Sequence, residues 1–207
     1  MIEVVHGEQE LFERAGHLFA TATEELSCAA NSLYTWVATQ RGSSTGPRPK
    51  VIRKLFRLSA MLDPTWAQHA HVMAAHGASV RVGTEDLNET ILLDRRVAIL
   101  AGDMAHGLRT FSVITSPQVV QGVSALFEAA WNAASDLAVH DATMVDLRPL
   151  APRILTALNE GWTDETAARA LGLSLRTYRR RVAELMSALG ATSRFQAGAR
   201  ARELGLV

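Results

Sequence analysis

Residues 161–191 of the chain, GWTDETAARALGLSLRTYRRRVAELMSALGA, restrict its fold more tightly than any other stretch. Thr163 is placed to cap a helix that carries Asp164 and Glu165 in its first turn and Ala167, Ala168 and Leu171 along its inner side. Gly172 follows where a C-cap glycine takes a positive φ, and Ser174 is placed to cap a second helix two residues later. Leu175, Tyr178, Val182, Leu185, Met186 and Leu189 recur there at three- and four-residue spacing and give that helix one apolar stripe. Arg176, Arg179, Arg180 and Arg181 cover the rest of its first two turns. Four cations near a helix N-terminus oppose the helix dipole, so helix stability does not account for them. A polyanion does. The expected unit is a helix-turn-helix that offers its second helix to the major groove of double-stranded DNA.

The flanks extend this reading. Pro152, Ile154, Leu155 and Leu158 predict one more short helix upstream, and Ser193 with Gln196 forms a capping box that opens a last helix through Phe195, Ala199 and Leu204. The run resembles the C-terminal domain of LuxR/FixJ/NarL-type bacterial transcriptional regulators. Gly161, Ala167 or Ala168, Leu171, Leu173, Ser174, Thr177, Arg179, Met186, Leu189, Arg194 and Ala197 fall on that family's pattern, and the resemblance covers residues 147–207. It implies an all-α, four-helix DNA-binding domain. The chain departs from the pattern at Arg148, Leu150 and Ala151, where the family has Thr, Arg and Glu, which should alter how the opening helix is tied down. Tyr178 replaces a valine and Arg181 a histidine.

By analogy with the family and from helix geometry, Arg179 and Arg180 are expected at base edges. Arginine bidentate to guanine is worth on the order of 1–3 kcal/mol of discrimination. Ser174, Arg176, Thr177 and Arg181 are expected to hold phosphates, Arg181 making this face more basic than the family norm. Tyr178 can fill the core with its ring and place its hydroxyl at the DNA backbone. Arg153 and Arg194 are further phosphate candidates, each equally an ordinary surface arginine, and Ala183 lies where only a thymine methyl could be read. The bland alternative is an arginine-rich solvated helix on a protein that binds no DNA.

Zero formal charge over 207 residues looks wrong for a DNA binder until the chain is divided. From Leu147 onward there are ten arginines against five Asp or Glu, a balance of plus five; the first 146 residues carry minus five. The basic footprint is confined to the C-terminal part, and the acidic remainder would be repelled from a duplex. Cys28 is the single cysteine, so a disulfide framework is excluded and a reducing cytoplasm fits. No apolar run approaches twenty residues and no signal peptide pattern opens the chain, which argues against a membrane span or a secretory signal; no membrane partner and a cytoplasmic location are expected.

The first 134 residues read as a mixed α/β unit. Strands are expected at residues 2–5, 26–33, 51–58, 80–82, 91–93, 97–100 and 111–114. Helices are expected from Leu11 through Phe19, from Asp63-Pro64 to Gly77, and from Ser116-Pro117 to Trp131. Residues 41–50 read as a flexible loop and 135–146 as an interdomain linker. The stretch ASVRVGTEDLNETILLDRRVAIL at 78–100 resembles the phospholipase-D-like sensor module of TrmB-type regulators. Ser116, Pro117, Val119, Val120, Leu126, Phe127, Glu128 and Trp131 match a later helix of that module. The resemblance implies an α/β phospholipase-D-like sensor or dimerisation domain over 1–134.

A catalytic phospholipase D half-site needs H-x-K-x-x-x-x-D: a nucleophile, a phosphate clamp and an orienting acid. With Asp94 as the acid, Leu87 stands at the histidine position and Glu89 at the lysine position. Leucine cannot attack phosphorus and glutamate repels phosphate, so no enzyme activity and no cofactor are expected. His69, His71 and His76 lack the spacing of a metal site and read as helix-surface histidines. Tyr34, Trp36 and Trp66 could line an effector pocket but fit core packing better. Arg95-Arg96 reads as a hairpin turn, with a phosphate sensor as the alternative. The whole suggests a dimeric, sequence-specific transcriptional regulator with a small-molecule effector as an open option. A sigma-region-4-like protein-interaction module and a phosphodiesterase with a DNA-binding tail are the alternatives.

Overall fold

A computed structural model of the chain describes residues 1–30, 48–84 and 88–207. Two compact units emerge: Met1–Arg57 with His71–Ser135, and Leu58–Ala70 with Asp136–Val207.

The first unit is built on a mixed sheet. Its strands are β1 (Ile2–His6), β2 (Glu25–Ala30), β3 (Val51–Arg57), β4 (Ser79–Gly83), β5 (Thr90–Leu93), β6 (Val97–Ala105), β7 (Leu108–Ile114) and β8 (Ser135–Asp136). They lie in the order β1-β7-β6-β5-β2-β3-β4-β8. β2, β3 and β4 run parallel and β5, β6, β7 and β1 antiparallel, with Leu26 opposite both Ile52 and Leu93. β2 is buried over five consecutive residues and β5 over all four, so both faces of the sheet's centre are covered. Three helices accompany the strands: α1 (Gly7–Thr21), the last turn of α2 (Pro64–Ala75) and α3 (Pro117–Ala133). α3 lays Val120, Phe127, Ala130 and Trp131 onto Ala29, Leu55, Leu92, Ala98 and Ile114. The expected strands and helices are present within a few residues. β6 and β7 run further than their apolar runs suggested, because a hairpin through His106 and Gly107, both at positive φ, extends the ladder beyond them, pairing Met104 with Arg109 and Ala105 with Leu108. Residues 31–33 of the expected second strand and 41–47 of the expected loop lie outside the described residues, as do Tyr34, Trp36 and Leu87.

The second unit is helical. It comprises a 3-10 turn at Leu58–Leu62, the start of α2, and α4 (Leu137–Leu147), α5 (Ala151–Asn159), α6 (Asp164–Leu171), α7 (Leu175–Ala188) and α8 (Arg194–Glu203). α7 is the hub: α4, α6, α8 and the 3-10 turn all pack on it. Its stripe forms the centre, with Tyr178 and Leu185 fully buried and Val182 nearly so. Residues 135–146, expected as a linker, form β8 and most of α4, whose Met144 and Leu147 are buried. Mixed polarity there belongs to a helix with one buried edge. Trp66, weighed as a pocket aromatic, is buried at the start of α2.

The local punctuation follows the chemistry. Thr163 Oγ1 accepts from the Thr166 amide, Ser174 Oγ from Thr177 and Ser193 Oγ from Gln196, capping α6, α7 and α8. Each such cap is worth about 1 kcal/mol. Gly172 ends α6 at φ 69°, a left-handed conformation that glycine enters without a Cβ penalty. Two expectations change in detail. Gln196 reaches back to the Thr192 amide at 2.8 Å. Phe195 points outward at 88% exposure while Ala197 and Ala201 are buried, because close packing at α8 selects small residues.

Candidate functional site

α7 presents a face opposite its buried stripe. At about 100° per residue, Arg176, Arg179, Arg180 and Ala183 share that face, and all four are exposed. Arg176 has no ion pair among the described residues. Arg180 lies 3.4 Å from Glu184 with a side chain 60% exposed, a contact worth well under 1 kcal/mol. Arg179 Nε donates to Asp164 Oδ2 at 3.0 Å.

Asp164 ties this face to the start of α8. Its second oxygen lies 2.7 Å from Arg194. Burial would push the Asp164 carboxyl upward, but hydrogen bonds from Arg194 and Arg179 outweigh burial and hold it below the usual range. The carboxylate also sits in the first turn of α6, where the helix dipole favours a negative charge. It thereby sets the spacing of two of the expected DNA-contacting arginines.

Ser174 and Thr177 sit at the start of α7, their hydroxyls 2.8 Å apart. One hydroxyl hydrogen is used between them, which leaves the other for an outside acceptor.

The structure corrects two placements. Arg181 is five residues on from Arg176, about 140° around the helix, and does not share the exposed face. Its side chain is 11% exposed and is held by Glu184 and Asp146, each at 2.8 Å. Tyr178 is fully buried, so its hydroxyl is not at the surface; burial raises its pKa. Arg148, where the family pattern differs, ties the unit together by donating from Nε to the Met61 carbonyl at 2.9 Å. Sequence reasoning missed Asp164 as an organiser because it reads first as a dipole-compensating first-turn residue. Arg153 reaches the Ala170 carbonyl at 3.4 Å.

In the first unit, the positions aligned with phosphodiesterase chemistry hold other contacts. Glu89 is 4% exposed and paired with Arg109 at 3.3 Å. Asp94 accepts from the backbone amides of Thr23, Glu24 and Glu25 at 2.8–3.0 Å. Burial raises its pKa but those amides lower it further. A carboxylate bound to three amides is a structural tie between the β5–β6 turn and β2. Burial pushes the Cys28 thiol up, with neighbouring Lys54 opposing. His76 Nδ1 lies 2.7 Å from its own helix's Val72 carbonyl. Among the described residues no group of three His, Cys, Asp or Glu converges as metal ligands would. No described helix is long and apolar enough to cross a membrane.

The sheet with its helices defines a mixed α/β fold. NucT from Helicobacter pylori shares it, with a TM-score of 0.51 at 7% identity over 66% of this chain and 98% of NucT. TrmBL2, an archaeal chromatin protein, superposes with a TM-score of 0.49 at 15% identity, covering 65% of this chain and 53% of TrmBL2. No protein-family model matches the chain. By sequence, the chain is similar to a regulatory protein: the bialaphos biosynthetic pathway regulatory protein of Streptomyces hygroscopicus, 36% identical over 161 residues. That alignment takes in 77% of this chain and spans 63% of the relative's length.

Proposed function

We infer that the chain is a sequence-specific DNA-binding transcriptional regulator of the cytoplasm, with α6, Gly172–Leu173 and α7 acting as a helix-turn-helix of the LuxR type. The observation that carries this reading is the exposed face of Arg176, Arg179 and Arg180 on a helix capped at its start and packed on its opposite side. Similarity to a regulatory protein supports it. Arg179 and Arg180 reach base edges, while Arg176, Arg194 and the Ser174–Thr177 hydroxyl pair hold phosphates. Arg181 keeps a structural role. Binding as a homodimer would pair two short half-sites and supply register and affinity. The phospholipase-D-like first unit acts as a sensor rather than a phosphodiesterase, since residues 87 and 89 are leucine and glutamate.

The test is fluorescence anisotropy of the purified chain on duplex DNA from its own upstream region and on random duplex. Arg179→Ala and Arg180→Ala should lose preference for the specific duplex by about 5- to 150-fold each, from 1–3 kcal/mol per contact. Arg176→Ala should weaken both duplexes alike. Equal losses on both duplexes for all three variants would overturn the base-reading roles.

A further inference from the structure

A second site lies in the first unit, away from the Glu89–Arg109 pair. The β5–β6 turn, the end of β7 and the first half of α3 enclose an open cleft of about 500 Å³. Its lining includes Arg95, Arg96, Thr115, Gln121, Ser124 and Glu128. Three independent features converge on it.

The first is backbone strain. Asp94 and Arg95 have φ of 49° and 53°, and the Arg96 amide donates to the Leu93 carbonyl at 2.9 Å, closing a tight turn over both. Such turns favour Asn-Gly or Asp-Gly. A non-glycine residue in the left-handed region costs roughly 1–2 kcal/mol. Arginine at the glycine position has a local cost that points to a use for its side chain.

The second is a preset guanidinium. Arg95 donates from Nε to Glu25 at 3.0 Å and from the η2 nitrogen to Glu128 at 2.7 Å. Those two carboxylates are themselves held by Arg53, which stacks over the rings of Phe127 and Trp131 at 5.2 and 5.3 Å. Arg95 is therefore oriented by a rigid frame and still more than half exposed, and Arg96 stands exposed beside it.

The third is an unused hydroxyl. Ser124 Oγ is buried and has no hydrogen-bond partner among the described residues, an arrangement that costs about 1–3 kcal/mol unless something fills the cleft. The cleft also meets Pro117 at the N-terminus of α3, where the helix dipole favours an anion and the Ser116 side chain makes no cap bond.

We propose that this cleft binds a small organic anion: a carboxylate or phosphate group, met by Arg96, Arg95 and the Ser124 hydroxyl, on an apolar body that lies against Pro117 and Ala125. The site is independent of α7, and its test is made without DNA. The full chain is titrated by isothermal calorimetry with inorganic phosphate, phenyl phosphate and benzoate, alongside Arg96→Ala, Ser124→Val and, as a charge-matched control, Arg169→Ala. Saturable binding of phenyl phosphate or benzoate is expected, at least tenfold tighter than inorganic phosphate. The preferred probe identifies phosphate or carboxylate as the recognised group. Arg96→Ala should weaken it at least fivefold, Ser124→Val should also weaken it, and Arg169→Ala should leave it unchanged. No saturable binding of any probe overturns the site. So does binding that Arg96→Ala leaves intact, or that Arg169→Ala weakens equally.

Discussion

Replacing Asp164 by asparagine should make the protein less stable and bind DNA more tightly. The Asp164 carboxylate neutralises Arg179 and Arg194 at 3.0 and 2.7 Å and is itself 15% exposed. Its partners are about half exposed, so each pair contributes roughly 0.2–1 kcal/mol after screening. The favourable position at the start of α6 adds about 0.3–1 kcal/mol. Loss of both gives a destabilisation of about 1–2 kcal/mol, read as a lower midpoint in urea with an unchanged slope. On DNA the same charge works in the other direction. The wild-type duplex must take Arg179 and Arg194 from Asp164, whereas in Asp164→Asn they are available. A gain of about 0.7–1.4 kcal/mol is a three- to tenfold lower Kd. One additional phosphate neutralised would steepen the log–log salt dependence by about 0.9. Anisotropy titrations from low to physiological salt measure both quantities. A variant that is destabilised yet binds DNA no more tightly, with the same salt slope, would refute the idea that Asp164 restrains the DNA-facing arginines.

Other substitutions separate structural from contacting roles. Arg181→Ala, which removes a guanidinium held between Asp146 and Glu184, should lower stability by about 1–2 kcal/mol and leave the DNA salt slope unchanged; calorimetric melting and anisotropy read the two effects. Tyr178→Phe keeps the buried ring and should leave DNA affinity within twofold, whereas Tyr178→Ala should cost about 3–5 kcal/mol of stability, measured by urea unfolding. In the first unit, Arg53 chiefly, through hydrogen bonding, holds the Glu128 carboxyl below its usual range. A carboxylate with a depressed folded pKa stabilises fully above its unfolded value, near 4.3, and its contribution is lost as pH falls through the folded one. Glu128→Gln should therefore shrink the stability difference between pH 6 and pH 3, as followed by denaturant midpoints.

Much of the second unit was legible because its signals are local. Thr163, Ser174 and Ser193 cap through hydroxyls three residues from the amides they accept, and Gly172 marks a left-handed end; neither depends on the rest of the chain. The stripe from Tyr178 to Leu189 likewise fixes which side of α7 is buried. Arg181 was misplaced because four arginines within six residues read as one basic patch, although the helical repeat carries residue 181 well away from residue 176. The Tyr178 hydroxyl suggests a surface role, but its position on the apolar stripe buries the whole side chain. α4 is hard to read from the sequence because His140, Asp141 and Asp146 interrupt its apolar residues and, among the described residues, only Leu137, Met144 and Leu147 of it are buried.

The first unit was readable as alternating strands and helices, but its tertiary ties were not. Asp94 lies some seventy residues from the amides it binds, and Glu25 meets Arg53, Arg95 and, through them, Glu128 only in the folded sheet. No spacing in the sequence brings those groups together. The sequence reads Arg95 as part of a hairpin turn, with a phosphate sensor as the alternative; its positive φ, and thus its local cost, required the structure.

The most direct measurement of the central claim is selection of duplexes from a fully randomised DNA pool by the purified chain, repeated with Arg180→Ala. The account predicts enrichment of a recurring guanine-containing half-site, binding that falls steeply between 50 and about 200 mM salt, and loss of a guanine preference in the variant. A pool that stays random through selection, or an enriched motif that Arg180→Ala leaves unchanged, would contradict it.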